Sequence, residues 1–280
     1  MKGRYRLMAM DVDGTVLTDD KQLPDRVLDS IRELRASGCL AVIATGRALS
    51  EMGPLRELLE SCDLAILESG ALLYDILRER VMKRRVFRKE TVLSILETAC
   101  EEDCMLYAFS EGMGYMGRED LENLEHYHMQ PYRALYENHV CLLDDAGKSL
   151  RGMADGIEKI LIYHATEAGR ENTARRCAGL DAEMAFAERT SLELSPGGIS
   201  KGASLRELCA LLGLELSECA AIGDAENDLS MLEIAGVSFA MGNAPERIRA
   251  RADRVVGDNN HGGVAEAVDY LLRHGLNVYS

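Results

Sequence analysis

The stretch Asp11-Val12-Asp13-Gly14-Thr15 follows Leu7-Met8-Ala9-Met10, a short apolar run that predicts a buried β-strand. A strand that leads into two acids and a glycine places both carboxylates at its carboxyl end, where open α/β sheets bind ligands. An extended backbone directs Asp11 and Asp13 to the same side, and two close carboxylates are costly unless a cation lies between them. The motif predicts a hard-metal site with one carboxylate available for attack, or alternatively a turn that uses Asp and Gly only for backbone geometry.

The segments that follow alternate between helix and strand patterns. Residues 22–37 have apolar side chains at helical spacing, with Pro24 near the start of the pattern. An apolar strand pattern at 39–44, a helix within 48–61 and a third strand at 64–67 come next. Strand, helix, strand, helix, strand is typical of a parallel sheet.

This alternation is interrupted between residues 82 and 190. The interrupting segment has helix patterns at about 89–102 and 167–177, strand patterns at 160–164 and 183–186, and a glycine-rich stretch at 112–117 that predicts a polar turn. Short α and β units of this kind favour an α+β module with antiparallel strands. We therefore expect 82–190 to form an inserted second domain.

The alternating pattern returns after residue 190. A strand pattern at 192–194 goes with the strand at 183–186 and the antiparallel module. The alternating elements after it are a helix at 202–212, an apolar run at 219–222, a helix at 225–235, a strand at 237–241, a helix at 244–251, an edge strand at 254–256 and a helix at 264–273. The predicted fold class is α/β, a Rossmann-like parallel-sheet core formed by 1–81 and 191–280 with an inserted α+β domain.

Composition excludes some partners. The chain has 280 residues, of which 47% are hydrophobic, and a formal net charge of −15. Nucleic acids and anionic membrane surfaces require cationic binding surfaces, so neither is an expected partner. The eight cysteines form no C-x-x-C pair, which favours reduced thiols in a cytoplasmic protein. No apolar run reaches the length of a signal peptide's core or a transmembrane helix.

Polar groups follow several of the predicted strands. Asp11 and Asp13 follow the first, Thr45 follows the second, and Asp224 follows the 219–222 run. Lys201 begins a predicted helix. If the strands are parallel, these groups share one edge of the sheet. Three carboxylates suit an octahedral ion with Mg²⁺ as the default, and a lysine, a hydroxyl and helix N-terminal amides suit a phosphoryl group. The combination predicts phosphoryl transfer.

Four motifs stand in the order of those in the haloacid dehalogenase superfamily: Asp11-Val-Asp-Gly-Thr15, Ala44-Thr-Gly-Arg47, Ile199-Ser-Lys-Gly202 and Gly223-Asp-Ala-Glu-Asn-Asp228. The last motif, followed by Met241-Gly-Asn-Ala244 and combined with a late α/β insertion, resembles the Cof-type phosphatases. The resemblance covers the whole core and the location of the insertion. It implies that 82–190 is a cap domain over a catalytic core.

The resemblance also implies a chemistry for individual residues. Asp11 would be the nucleophile that becomes an aspartyl phosphate. Asp13 would protonate the leaving oxygen and later activate water. Lys201 would neutralise Asp11 and the phosphoryl group. Such covalent catalysis divides one difficult step into two easier ones.

Binding roles follow from the same resemblance. Thr45, the Gly46 amide and Asn227 would bind phosphate oxygens. The metal, Mg²⁺, would be held by Asp11, by the backbone carbonyl of Asp13 and by Asp224, with Asp228 supporting the site. The implied function is a Mg²⁺-dependent phosphatase of small phosphorylated metabolites such as sugar phosphates.

Some readings remain open at this point. The same scaffold would also serve a phosphomutase or phosphotransferase, or a non-catalytic phosphate-binding module. Ser69 stands where the family usually has asparagine, which puts one substrate contact in doubt. The stretch Gly112–Gly117 matches G-x-G-x-x-G, but the context of a dinucleotide site is weak, and a turn is favoured. Asn243 is interpreted either as a residue that shapes its loop or as a residue of the site.

Overall fold

The computed structural model describes residues 5–186 and 189–274. Within these ranges the strands are β1 (Leu7–Met10), β2 (Leu40–Ala44), β3 (Leu64–Leu67), β4 (Leu72–Asp75), β5 (Arg80–Arg84), β6 (Cys104–Ser110), β7 (Met113–Gly117), β8 (Val140–Leu143), β9 (Lys159–His164), β10 (Ala182–Ala185), β11 (Ser191–Pro196), β12 (Cys219–Gly223), β13 (Val237–Ala240) and β14 (Arg254–Val255).

The α-helices of the same ranges are α1 (Asp25–Ala36), α2 (Arg56–Glu60), α3 (Lys89–Ala99), α4 (Arg118–Glu122), α5 (Arg133–His139), α6 (Ala146–Gly152), α7 (Glu167–Cys177), α8 (Lys201–Leu212), α9 (Leu229–Leu232), α10 (Glu246–Arg249) and α11 (Gly263–His274). Short 3₁₀ helices occupy Ser50–Leu55, Glu68–Gly70, Gln130–Tyr132, Ala154–Gly156, Leu216–Glu218 and Glu226–Asp228.

The chain divides into two compact units. The first comprises the described residues up to Gly46, Leu55–Lys83 and those from Ser200 onward. The second comprises Arg47–Pro54 and Arg84–Ile199. The sequence predicts the boundaries at 82 and 190. The assignment of the two units as catalytic core and cap stays a prediction.

The first unit is built on an eight-stranded sheet with the order β14-β13-β12-β1-β2-β3-β4-β5. The pairs from β14 to β3 are parallel, and β3 pairs with β4 in the antiparallel direction. This parallel arrangement confirms the predicted α/β class. One face packs on helices α8 and α9 through an apolar cluster that includes Ala9, Val42, Ala221, Leu205, Leu208 and Met231.

The register of the central strands sets the position of the polar residues that follow them. Met10 lies beside Ile222 on one side and Ile43 on the other. The residue that follows β1 is Asp11, whose N–H donates to the Ile222 carbonyl at 3.1 Å. The strand order changes direction at β1, with β2 on one side and β12 on the other, and such switch points are where doubly wound sheets bind ligands.

The second unit has a six-stranded sheet with the order β10-β11-β9-β6-β7-β8. Its pairs are antiparallel except for β7 with β8. Two apolar clusters stabilise it, one that includes Ile95, Leu106 and Ile160, and another that includes Tyr107, Phe109 and Tyr163. This is the antiparallel α+β arrangement that the sequence predicts for the insertion.

The segment Arg47–Pro54 folds with the second unit, although the sequence predicts it as part of the first. The Glu51 carboxylate is buried and accepts hydrogen bonds from the Tyr107 hydroxyl and the Ala48 N–H, both at 2.8 Å. The Ser50 N–H donates to the Gly112 carbonyl at 2.9 Å. The bonds with Tyr107 and Gly112 are long-range, and they attach the segment to β6 and to the β6–β7 turn.

The predicted turn at 112–117 is wrong for most of its length. The turn is at Glu111 and Gly112, both with positive φ, and Met113–Gly117 is strand β7. A Cβ atom at Gly114 would overlap the hydroxyl of Tyr107 on the neighbouring strand. Glycine within a strand often marks such a close approach, which a reading based on turn composition overlooks.

The predicted helix at 225–235 is also wrong in extent. The chain forms the 3₁₀ turn Glu226–Asp228 and then the short helix α9. The Asp228 Oδ2 atom accepts hydrogen bonds from the N–H groups of Asp224 and Ala225, each at 3.0 Å. The chain therefore bends around this side chain before regular helix begins.

Gly202 gives a test of the packing between α8 and α9. A Cβ atom at this position would overlap the backbone carbonyl of Ser230, and neither backbone can easily move. We expect Gly202→Ala to lower the free energy of unfolding by roughly 1–3 kcal/mol, measured by urea denaturation. Gly152→Ala is the control, because a Cβ atom there has no other atom within 4 Å. An equal loss in free energy of unfolding in the two variants would contradict the close approach of Gly202 to the Ser230 carbonyl.

Candidate active site

Lys201 and Asp11 form a buried ion pair at the switch point of the first sheet. Ser200 caps α8 by accepting a hydrogen bond from the Ala203 N–H, which places Lys201 at the first helical position. The Lys201 Nζ atom lies 2.5 Å from Asp11 Oδ1 and 2.7 Å from Asp228 Oδ1. The lysine is 1% exposed and Asp11 is 6% exposed. Residues 190 positions apart in sequence are thus in direct contact.

Asp228 links the lysine to the loop that follows β12. Its Oδ1 atom accepts from Lys201, while its Oδ2 atom accepts the two N–H groups at the start of that loop. A Cβ atom at Gly223 would lie 2.5 Å from the Asp228 carboxyl carbon, so glycine permits this approach. Asp228 therefore holds both the lysine and the backbone of Asp224.

Asp224 follows β12 and lies against the turn that contains Gly14. Thr15 Oγ1 donates to Asp224 Oδ1 at 3.0 Å. Gly14 has φ +85°, and a Cβ atom there would lie 2.5 Å from Asp224 Oδ2. Glycine is required at this position both for the left-handed backbone and for the close approach of the carboxylate.

The three acids Asp11, Asp224 and Asp228 each offer one carboxylate oxygen within 4.8 Å of the others. This donor set consists of carboxylate oxygens, which are the ligands preferred by hard cations such as Mg²⁺ and Ca²⁺. The side-chain oxygen of Asn227 is buried and has no hydrogen-bond partner among the described residues, as expected of a group that faces a ligand. The residues present therefore fit a divalent cation.

The electrostatics of the cluster point in the same direction. Burial raises the pKa of Asp11 well above its ordinary value, and Asp228 and Asp224 raise it further, against the opposing effect of Lys201. Burial and the neighbouring Asp228 raise the pKa of Asp224 to about 6. Burial alone would lower the pKa of Lys201, but the two carboxylates outweigh it and raise that pKa. One lysine therefore leaves negative charge for a cation to neutralise.

Asp13 has a different environment. Its side chain is 35% exposed, and its Oδ1 atom accepts a hydrogen bond from Lys21 Nζ at 3.0 Å. Its side chain is not among the three acids that lie within 4.8 Å of one another. A role for Asp13 in metal binding through its backbone carbonyl, and in proton transfer through its side chain, stays a prediction.

Thr45 and Gly46 follow β2, next to β1 in the sheet. The Thr45 N–H donates to the Ile66 carbonyl at 2.9 Å, and the Thr45 carbonyl accepts from the Ser69 N–H at 3.0 Å. Ser69 and the residue before it have positive φ values of 58° and 55°. The turn that carries the serine is therefore attached to the end of β2. The phosphate-binding roles of Thr45, Gly46 and Asn227 stay predictions.

Two contributions to this site were missed by the sequence reasoning. The motif assigns Thr15 no role of its own, yet Thr15 holds one oxygen of Asp224. Asn259 was not singled out, although it is buried and donates to the Leu17 carbonyl and to Asp19 Oδ1, each at 3.0 Å. The signal available for Thr15 was its place directly after Asp-Gly. Nothing near Asn259 in the sequence indicates its distant partners.

Known protein sequences resemble this chain over nearly its whole length. The profile of the haloacid dehalogenase-like hydrolases matches residues 8–268. The HMP-PP phosphatase of Klebsiella pneumoniae (strain 342) is 28% identical over 280 residues, which is 97% of this chain and 96% of that protein. The pyridoxal phosphate phosphatase YbhA of Escherichia coli (strain K12) is 26% identical over 275 residues, 94% of this chain and 97% of that protein.

Solved structures show the same likeness. A haloacid dehalogenase-like hydrolase from B. subtilis superimposes with a TM-score of 0.83 at 28% identity, covering 95% of this chain and 99% of that one.

None of the helices in residues 5–186 and 189–274 has the length and apolar composition needed to cross a lipid bilayer.

Proposed function

Because the chain belongs to the haloacid dehalogenase-like hydrolases, and to their Cof type, we propose that it is a Mg²⁺-dependent phosphatase acting through an aspartyl phosphate. The observation that carries the proposal is the buried contact of Lys201 with Asp11 beside the further acids Asp224 and Asp228. A buried nucleophile with a lysine and a cation site next to it is suited to attack on a phosphoryl group.

The first proposed step is attack by an Asp11 carboxylate oxygen on the substrate phosphorus. A bond forms between that oxygen and phosphorus, and the bond from phosphorus to the leaving oxygen breaks. Asp13 gives its proton to the leaving oxygen, so the alcohol departs neutral. Lys201 stabilises the charge on Asp11 and on the phosphoryl oxygens, and Thr45, Gly46 and Asn227 orient those oxygens.

In the second proposed step, Asp13 accepts a proton from water, and that water attacks the phosphorus of the aspartyl phosphate. The bond from phosphorus to Asp11 breaks, inorganic phosphate is released, and both acids return to their starting forms. Asp11, the Asp13 carbonyl and Asp224 would hold the cation. When bound, Mg²⁺ would neutralise the charge that develops on the phosphoryl oxygens.

Two features support a small phosphorylated metabolite as the substrate class. Two relatives that match nearly the whole chain are named for HMP-PP and for pyridoxal phosphate, both small phosphorylated compounds. The net charge of −15 disfavours a polyanion such as a nucleic acid. We include the second unit in the proposal as a cap that selects the leaving group.

A panel of small phosphoesters tests the proposal. We expect phosphate release from at least one of them with Mg²⁺, loss of release when EDTA removes the ion, and recovery when excess Mg²⁺ is added. In ¹⁸O-labelled water the released phosphate should carry the label. Transfer of the phosphoryl group to a second hydroxyl, with no ¹⁸O from water in the product, would instead indicate a phosphotransferase. Binding of phosphoesters without turnover of any panel member would contradict a catalytic role.

A further inference from the structure

Asn243 lies in the loop after β13 and contacts two parts of the candidate site. Its side-chain Nδ2 atom donates to the Gly14 carbonyl at 2.8 Å and lies 3.4 Å from Asp224 Oδ2. The other oxygen of Asp224 accepts from Thr15. The Asp224 carboxylate is therefore held from both sides by groups that come from two distant loops.

The orientation of the Asn243 amide is fixed by a third contact. The backbone N–H of Asn259 donates to Asn243 Oδ1 at 3.1 Å. A backbone N–H is only a donor, so the atom facing it must be the amide oxygen, and the NH₂ group must face Asp224. Asn259 is itself anchored by its hydrogen bonds to Leu17 and Asp19. The chain of contacts leaves the Asn243 amide one orientation.

We propose that Asn243 is a positioning residue that orients the Asp224 carboxylate toward the divalent cation. The inference rests on the proposed function, because it assigns Asn243 a role in that same metal site. Partners that hydrogen-bond to a metal ligand fix its direction, and their loss commonly reduces metal affinity 10–100-fold. Asn243 would not touch substrate, so its effect passes through Asp224 and through the turn at Gly14 that lies against it.

The test is the Mg²⁺ dependence of thermal unfolding, measured without substrate. A cation that binds only the folded protein stabilises it by RT ln(1 + [L]/Kd), so Tm begins to rise once the cation concentration exceeds Kd. We expect Asn243→Ala to raise the Mg²⁺ concentration at which Tm begins to rise by about tenfold or more. Tm in EDTA should fall only slightly, because the hydrogen bonds that are lost belong to an exposed side chain. In turnover assays, kcat should fall at low Mg²⁺ and recover at high Mg²⁺, with KM for the substrate unchanged.

Asn260→Ala is the matched control, because Asn260 lies in the loop that contacts Asn243 but donates to Asp19 Oδ2 at the surface. Its Mg²⁺ response should equal that of the wild type. An unchanged Mg²⁺ response in Asn243→Ala, with or without a lower Tm in EDTA, would overturn the inference and leave the proposed function intact. A wild-type protein that Mg²⁺ does not stabilise would reject the metal site itself. Asn243→Ser provides the same readings if the alanine variant does not fold.

Discussion

Asp11→Asn is expected to abolish phosphatase turnover while the protein remains folded. An amide is a far weaker nucleophile than a carboxylate, so the aspartyl phosphate would not form, and we expect kcat to fall by about 10³-fold or more. The measurement is phosphate release from the best substrate of the panel. After an acid quench the wild type should carry a labelled phosphoryl group that hydroxylamine releases, because hydroxylamine cleaves acyl phosphates, and the variant should carry none.

The same variant has an expected effect on stability. Burial and the nearby Asp228 raise the pKa of Asp11. At a pH above the ordinary pKa of a carboxyl group, the ionised form of Asp11 is therefore less favourable in the folded protein than in the unfolded chain. A raised folded-state pKa gives stability at low pH that is lost as pH rises, and a neutral asparagine removes this loss. Lys201 keeps Asp228 as its partner in the variant, so we expect Tm in EDTA at pH 7 to be equal to or higher than in the wild type.

Asp20→Asn is the control for Asp11→Asn, since it makes the same chemical change at an exposed acid of the adjacent loop. It should leave both turnover and Tm unchanged. Substantial turnover in Asp11→Asn, or a trapped phosphoryl group at full level, would remove Asp11 from the role of nucleophile.

Lys201→Met is expected to cause the largest combined loss of activity and stability. The substitution keeps the approximate length of the side chain but leaves two buried carboxylates, Asp11 and Asp228, without their cation. Removing one partner of a buried ion pair typically costs about 3–5 kcal/mol. Loss of a charge that stabilises the transferring phosphoryl group should also lower kcat by about 10²–10³-fold.

The pH dependence of unfolding separates this explanation from simple loss of packing. Without the lysine, the pKa of Asp11 should rise further, and stability that depends on a raised carboxylate pKa is lost as pH increases. The loss in free energy of unfolding caused by Lys201→Met, measured by urea denaturation, should therefore be smaller at pH 5 than at pH 8. Lys148→Met, at an exposed position, is the control for removal of one positive charge. A loss of stability that is the same at both pH values would contradict the explanation that the two buried carboxylates lack a neutralising charge.

The part of the fold that could be predicted from sequence is the buried part. Strands β1, β3 and β12 are buried along their whole length, so each appears as a continuous apolar run. Strand β5 could not be predicted in this way, because it lies at the sheet edge, three of its five residues are charged, and none of them is fully buried. Gly114 of β7 is misleading in the sequence, because the reason for glycine there is the Tyr107 hydroxyl on the neighbouring strand.

The candidate site was accessible to prediction where a residue directly follows a buried strand. Asp11 and Asp224 do so, and parallel strand order was enough to expect them at one edge. The role of Asn243 could not be decided, because its amide is oriented by the backbone N–H of Asn259, a contact that only the folded loops create. Likewise, no local pattern reveals that Asp228 bends the chain and shortens α9.

The attachment of Arg47–Pro54 to the second unit matters for protein engineering. A chimaera that exchanges only residues 84–199 for the corresponding stretch of a relative would leave the buried Glu51 without the Tyr107 hydroxyl wherever that relative has no tyrosine at this position. If the second unit selects the substrate as proposed, an exchange of specificity would need two donor fragments rather than one. The shorter fragment begins immediately after Thr45-Gly46, so the graft must be joined beside the residues proposed to bind phosphate.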